Sequence, residues 1–117
     1  MTEDWSRPVV HWEIRARDAG KISDFYSKMF NWDIGAEGRL RQISPGIGAP
    51  ETITGHLLED DESGVTLYIQ VLDLPASLAQ AKKLGGAVLR EPFQPPGQPT
   101  LAWICDPEGN KITLVQQ

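Results

Sequence analysis

Two side chains that can transfer protons stand close together near the start of the chain. In VVHWEIRARD, His11 and Glu13 fall on the same side of an alternating polar and apolar pattern. An imidazole titrates near neutral pH, and a His–Glu pair can act as a general base with its orienting group. Residues two apart on a strand are separated by about 6.5–7 Å at the backbone, so direct contact requires favourable rotamers. His11 and Glu13 are the candidate catalytic residues, and both are also candidate ligand-binding residues.

Glu13 requires a charge partner if its face points inward, because burying an unpaired carboxylate is costly. Arg15 lies on the same face and can neutralise it. Two interpretations stay open: a polar ladder that only stabilises the sheet, or a functional group. His56, in TGHLLED, is a further candidate for ligand binding.

A second alternating stretch, VTLYIQVLDL, places Tyr68 and Gln70 on one face, where they offer a phenol and an amide to a ligand. Trp103, in LAWIC, is either a ligand-lining aromatic or part of the core. Cys105 has no charge cluster beside it in the sequence, so we expect a buried apolar residue and not a nucleophile.

The elements that position these residues follow one plan twice. VVHWEIRARD predicts a strand, and AGKISDFYSKMFNW predicts an amphipathic helix whose stripe makes Phe25, Tyr26, Met29 and Phe30 core residues. DIGAEG, RLRQISP and ETITGHLLEDD predict short strands, with a loop at IGAPE. Trp5, Trp12 and Trp32 are expected to pack.

The second half repeats this order. VTLYIQVLDL predicts a strand and PASLAQAKKLGG a helix, with Pro75 in its first turn and Gly85 and Gly86 at its end. AVLREPFQP, PTLAWICDP and KITLVQQ predict strands, and the DPEGN turn leaves Ile112 and Leu114 on one face and Thr113 on the other.

The two halves superpose at an offset of 55 residues, which places Asp18 on Asp73 at the start of each predicted helix. The sequence therefore predicts an α+β fold of two tandem βαβββ modules, at about 9–62 and 63–117, in a single domain spanning 1–117. One module cannot cover the concave face of its own sheet, so the two sheets should enclose a ligand cleft.

These segments resemble the vicinal oxygen chelate superfamily, which contains glyoxalase I, the bleomycin resistance proteins and the extradiol dioxygenases. The resemblance runs from about Val9 to Val115. It rests on VVHWEIRARD, ISDFYSKMFNWD, VTLYIQVLDL and DPEGNKITLV.

The resemblance implies metal-ligand positions at His11, Thr66 and Thr113. Two of these three are threonines, whose neutral hydroxyls are poor ligands for zinc, nickel or iron(II). We therefore expect no tightly held metal and no cofactor, and we include Thr66 and Thr113 among the ligand-binding residues. A rearranged site of His11, Glu13 and His56 stays open as an alternative.

Composition bounds the remaining possibilities. The 117 residues are 40% hydrophobic and 23% charged, with a net charge of −5 and one cysteine. No apolar run is long enough to span a membrane, no basic cluster suits nucleic acid, and the polar N-terminus is not a secretory signal. A single cysteine fits a reducing compartment, and we expect a cytoplasmic protein. The acidic balance favours a cationic or neutral ligand.

Three functions follow as hypotheses. The first is a protein that binds a small organic molecule without a metal, as the bleomycin resistance branch does. The second is an enzyme of the lyase or isomerase type that uses His11 and Glu13, with or without a non-standard metal site. The third is an interaction module. The resemblance also implies a homodimer.

Overall fold

The computed structural model of the protein describes residues 6–44 and 53–116. These contain two helices and seven strands: β1 (Val9–Ala16), α1 (Ala19–Phe30), β2 (Leu40–Ile43), β3 (Gly55–Glu59), β4 (Gly64–Val71), α2 (Leu74–Lys83), β5 (Ala87–Phe93), β6 (Thr100–Cys105) and β7 (Lys111–Gln116). The predicted α+β class is confirmed. Trp5 and the predicted loop at residues 47–51 lie outside the described residues.

The chain divides into two compact units. One comprises His11–Thr66, and the other comprises Leu67–Gln117 together with Met1–Val10. The 55-residue repeat is visible in the elements, since β4 begins 55 residues after β1 and α2 begins 55 residues after α1. In both units, the strand before the helix pairs in parallel with the last strand of its module, β1 with β3 and β4 with β7.

An aspartate caps each helix, as the repeat predicts. The Asp18 carboxylate accepts a hydrogen bond from the Lys21 backbone N–H, and Asp73 accepts one from Ala76, each at 3.0 Å. Such side chains satisfy backbone donors that have no partner within the helix. Pro75 lies in the first turn of α2, and Gly85 follows its end with φ +96°. The predicted boundaries of α2 are therefore confirmed.

The His11–Thr66 unit has its core between β1, β3 and α1. Its buried residues are Ala16, Ala19, Ile43 and Leu57, and Trp12 and Trp32 pack against them. The packing predicted for these two tryptophans is confirmed. DIGAEG does not form a full strand: within it, Ile34 makes an isolated bridge to Ile43.

The core prediction for α1 is partly wrong. Phe25 is 56% exposed, Met29 63% and Phe30 52%, while Tyr26 stacks on Trp32 at a ring-centroid distance of 5.3 Å. The helical stripe is wider than the strip of α1 that meets the core of its unit. Periodicity marks one face of a helix but does not say how much of that face is covered.

The other unit has the strand order β4-β7-β6-β5, with α2 on one side. Its core contains Val71, Leu74, Leu78, Ala102 and Leu114, with Ile104 and Ile112 packed against it. The predicted packing of Ile112 and Leu114 on the helix side is confirmed. Cys105 is only half-buried. No helix in the described part of the chain has the length and apolar character needed to cross a membrane.

Candidate functional site

A chain of hydrogen bonds links the polar side chains on the sheet face of the His11–Thr66 unit. His11 Nε2 lies 2.7 Å from His56 Nδ1, and His56 Nε2 lies 2.9 Å from Glu13 Oε1. His56 therefore contacts both His11 and Glu13 and connects them. We call these three residues the His–His–Glu chain.

Strand pairing produces this arrangement. β1 and β3 run in parallel, and Glu13 is the register partner of His56. Side chains on neighbouring strands in the same register share a face, which brings His56 alongside the His11–Glu13 pair from 43 to 45 residues away in the chain.

Burying the polar side chains of the His–His–Glu chain costs free energy unless they form hydrogen bonds and ion pairs. Glu13 is 5% exposed and His56 6% exposed. Arg15 Nε lies 3.6 Å from Glu13 Oε2, and Arg15 Nη1 lies 4.0 Å from Asp60 Oδ2. The predicted neutralisation of Glu13 by Arg15 is therefore present. The guanidinium compensates the charge of the buried carboxylate and the His56 ring supplies its hydrogen bond, while Arg15 Nε makes no hydrogen bond among the described residues.

Thr54 closes the outer end of the chain. Its Oγ1 lies 3.0 Å from His11 Nδ1. With Glu13 ionised and both rings neutral, one direction satisfies every donor: Thr54 O–H donates to His11, His11 Nε2–H donates to His56, and His56 Nε2–H donates to Glu13. The sequence reasoning missed Thr54. Its signal was its place two residues before His56, immediately before β3.

The pKa of His11 is lowered from its ordinary value of 6.5. Burial is the largest cause, the positive charge that His56 can carry adds to it, and the Glu13 carboxylate opposes it. The neutral imidazole is therefore the favoured form of His11 near pH 7, and that form is a base.

The described residues contain no group of three or more His, Cys, Asp and Glu side chains arranged to hold a metal ion. In the His–His–Glu chain the facing nitrogens are in direct hydrogen-bond contact at 2.7 Å. A zinc ion needs about 2.0–2.1 Å to each nitrogen and a tetrahedral angle between them, so this spacing does not fit it. The residues brought together by the rearranged-site alternative fit a hydrogen-bonded chain and not a ligand set.

The two threonines at the implied ligand positions are both 1% exposed. Thr66 Oγ1 is buried and has no hydrogen-bond partner among the described residues. Thr113 lies on β7 between Tyr68 of β4 and Trp103 of β6. Gln70 is the register partner of Val115, two residues farther along β4 and β7 than the Tyr68–Thr113 pair.

A separate open pocket of about 610 Å³ lies in the His11–Thr66 unit between β1, α1 and the start of β4. Ile14, Ile22, Phe25, Tyr26 and Val65 are among its walls. None of the predicted site residues lines this pocket. Exposed Phe25 is accounted for as part of its wall.

Comparison with known proteins identifies relatives of this chain. Residues 11–115 match the model of a family described as a glyoxalase-like domain. A glyoxylase-like domain-containing protein of Didymella fabae is 32% identical over 108 residues, covering 84% of each chain.

Solved structures share the fold at lower identity. A glyoxalase/bleomycin resistance protein/dioxygenase superfamily member from Vibrio splendidus 12B01 matches with a TM-score of 0.66 and 14% identity, covering 96% of this chain and 100% of that one. A Streptomyces coelicolor methylmalonyl-CoA epimerase matches with a TM-score of 0.62 and 18% identity, covering 94% of each chain.

Proposed function

This chain belongs to the glyoxalase-like domain family of the vicinal oxygen chelate superfamily, and from that premise we propose that it transfers a proton on a small organic molecule without a tightly held metal. The His–His–Glu chain is the observation that carries the proposal. The reaction class is isomerase or lyase, with His11 as the general base, His56 as the group that orients it, and Glu13 as the buried anion.

The hydrogen bonds supply the mechanism. His11 Nδ1 is the one basic nitrogen at the outer end of the chain, where Thr54 now donates to it. When a bound carbon acid replaces the Thr54 hydroxyl, this nitrogen takes its proton and the molecule keeps the electron pair as an enolate. His11 Nε2–H still points to His56, and His56 Nε2–H points to Glu13, so the new positive charge is stabilised by a buried anion.

Return of the proton completes the reaction. Delivery to the other face or to a neighbouring atom of the enolate gives an isomer, and loss of a leaving group from the enolate gives a lyase reaction. The lowered pKa of His11 supports this role, because the free base is the form present near neutral pH.

Deuterium exchange tests the proposal. Methylmalonyl-CoA and pyruvate serve as carbon-acid probes in D₂O, followed by proton NMR, because an epimerase acting on a carbon acid shares this fold. We expect exchange above the buffer rate, and a loss of about 10²–10⁴-fold in His11→Gln and Glu13→Gln. Glu62→Gln, at an exposed position outside the His–His–Glu chain, is the matched control.

The ring tautomers give a test that needs no substrate. Long-range ¹H–¹⁵N spectra of the imidazoles near neutral pH should show a neutral His11 ring with its proton on Nε2, and a His56 ring whose Nδ1 accepts that hydrogen bond. A proton on His56 Nδ1, or a doubly protonated His11, contradicts the direction of transfer and removes the mechanism.

Binding without turnover is the second candidate. It is favoured by the fact that His11 Nδ1 already has a hydrogen-bond partner in Thr54, so the base is covered until that hydroxyl moves. Saturable binding of either probe with exchange no faster than buffer identifies this function.

A further inference from the structure

A row of four side chains crosses the face of the Leu67–Gln117 unit that is turned away from α2. Register partners place Tyr68 beside Thr113, Thr113 beside Trp103, and Trp103 beside Arg90. The opposite face carries Ala102 and Leu114 and belongs to the core under α2. We call this row, with Phe93 and Lys111, the Trp103 face.

Two cations lie on the rings of this face. Lys111 Nζ is 3.5 Å from the Trp103 ring centroid, and Arg90 Cζ is 5.0 Å from it. Arg90 Cζ is also 3.5 Å from the centroid of Phe93, whose ring meets Trp103 edge-on at 5.6 Å. The aromatic rings thus hold an ammonium and a guanidinium around one indole.

Irregular pairing of β5 brings Arg90 and Phe93 into this position. The register between β5 and β6 shifts twice, between Val88 and Arg90 and again between Arg90 and Phe93. Pro92, which cannot donate to a strand ladder, lies within the second shift. Shifts of this kind re-aim side chains and recur beside binding sites. Here they put a guanidinium opposite Trp103.

Two positive groups lie on this face of an acidic protein. The whole protein carries a net charge of −5, yet two positive groups share one ring here. Arg90 makes no salt bridge with a carboxylate of the described residues. Stacking covers the flat faces of a guanidinium and leaves its N–H donors free at the edge, in a planar fork that matches an oxyanion.

We propose that the Trp103 face binds a small organic anion through a carboxylate or phosphoryl group. The Arg90 fork takes two of the anion's oxygens, and the Lys111 ammonium, 3.5 Å from the centroid of the same indole, shares the charge. Phe93 and Trp103, both half-buried, contact the apolar body of the ligand. This site goes beyond the proton transfer proposed for His11. The proposed ligand is an anion, which differs from the cationic or neutral ligand that the net charge of the protein favours.

Binding of simple probes tests the site. Benzoate and phenyl phosphate are titrated into ¹⁵N-labelled protein, with benzyl alcohol as the neutral control and inorganic phosphate as the control without an apolar body. The indole N–H signal of Trp103, assigned by its loss in Trp103→Phe, reports on the site. We expect saturable shifts with one or both aromatic anions and at least about tenfold weaker binding of benzyl alcohol.

Variants separate the two cations. Arg90→Gln should weaken binding of the preferred anion at least about tenfold, and Arg90→Lys should restore only part of it, because the charge returns without the fork. Lys82→Gln, at the exposed end of α2, is the matched control and should leave the affinity unchanged. Circular dichroism and the Tm of each variant establish that it is folded.

The outcomes are decisive in both directions. Preference for benzoate identifies a carboxylate ligand, and preference for phenyl phosphate identifies a phosphoryl ligand. Equal binding of benzyl alcohol, equal effects of Arg90→Gln and Lys82→Gln, or no saturable shift at Trp103 with either anion overturns the proposal.

Discussion

At the scale of single residues, the chemistry depends on which atom each polar side chain faces. His11, His56 and Glu13 are common residue types, and their contacts order them. The hydrogen bonds run from the Thr54 hydroxyl at one end to the buried Glu13 carboxylate at the other. Two interpretations of Glu13 were open, a functional group or a polar ladder that only stabilises the sheet, and both involve these same contacts. The rate of proton transfer measured in the His11 and Glu13 variants distinguishes the two interpretations.

The stability of the protein should depend on pH through His11. Its folded-state pKa is lowered, so the unfolded chain takes up a proton at a higher pH than the folded chain does. The contribution of His11 to the free energy of unfolding is full above the ordinary pKa of 6.5, and it decreases as pH falls toward the folded-state pKa.

Urea denaturation at several pH values between about 5 and 8, the range in which histidine titrates, measures this dependence. We expect His11→Gln to flatten the slope, while Glu62→Gln retains it. An unchanged slope in His11→Gln would show that another group is responsible.

At the scale of elements, close approach between β1 and β3 holds the His–His–Glu chain in register. Gly55 begins β3 opposite Trp12, and the indole lies where a side chain at position 55 would have to stand. Trp12 Nε1 also donates to the Ile53 carbonyl at 3.0 Å. Glycine is therefore required at position 55 because the Trp12 ring leaves no room for a side chain, and not because of the backbone conformation.

Gly55→Ala should destabilise the protein, because the added Cβ would contact the Trp12 ring. We expect a loss of about 1–3 kcal/mol in the free energy of unfolding, as for other overpacked cores. Gly20→Ala is the matched control. Gly20 lies in α1, and the nearest atom to an added Cβ would be Asp18 Oδ1 at 3.7 Å, so the change should be neutral or stabilising.

A double-mutant cycle identifies the cause. Adding Trp12→Leu to Gly55→Ala should cost less than the sum of the two single changes, since the clash disappears with the indole. Additive losses in the free energy of unfolding would mean that Gly55 is needed for some other reason.

At the scale of the whole molecule, two repeated modules have acquired different polar faces. One unit carries imidazoles and a carboxylate at β1 and β3, and the other carries cations and aromatic rings on β5, β6 and β7. A repeated backbone plan therefore does not imply a repeated site. Fold kinship likewise leaves the chemistry to be argued from each site.

We expect the protein to retain little metal. Thr66 and Thr113 occupy two of the ligand positions that the family resemblance implies, and the third, His11, is hydrogen-bonded to His56. Elemental analysis after incubation with Zn, Ni, Mn and Fe(II) and desalting should give well below one equivalent per chain. Close to one equivalent, lost in His11→Gln, would identify a metalloenzyme and remove the metal-free mechanism.

The sequence by itself determined the elements, because their signals are local. The 55-residue repeat, the two capping aspartates, the end of α2 and the two faces of β7 all follow from spacing and capping within a few residues. Family membership followed from the same segments. The candidate residues His11, Glu13 and His56 could be named from their types, but not their order of contact.

Only the tertiary structure decided how those residues meet. The place of His56 between His11 and Glu13 depends on the parallel register of β1 and β3, and the place of Arg90 beside Trp103 depends on two shifts in the pairing of β5. The exposure of Phe25 and Met29 depends on how far the core reaches along α1. Each of these features depends on contacts between residues that are distant in the sequence. Local periodicity carries no information about pairing over such distances.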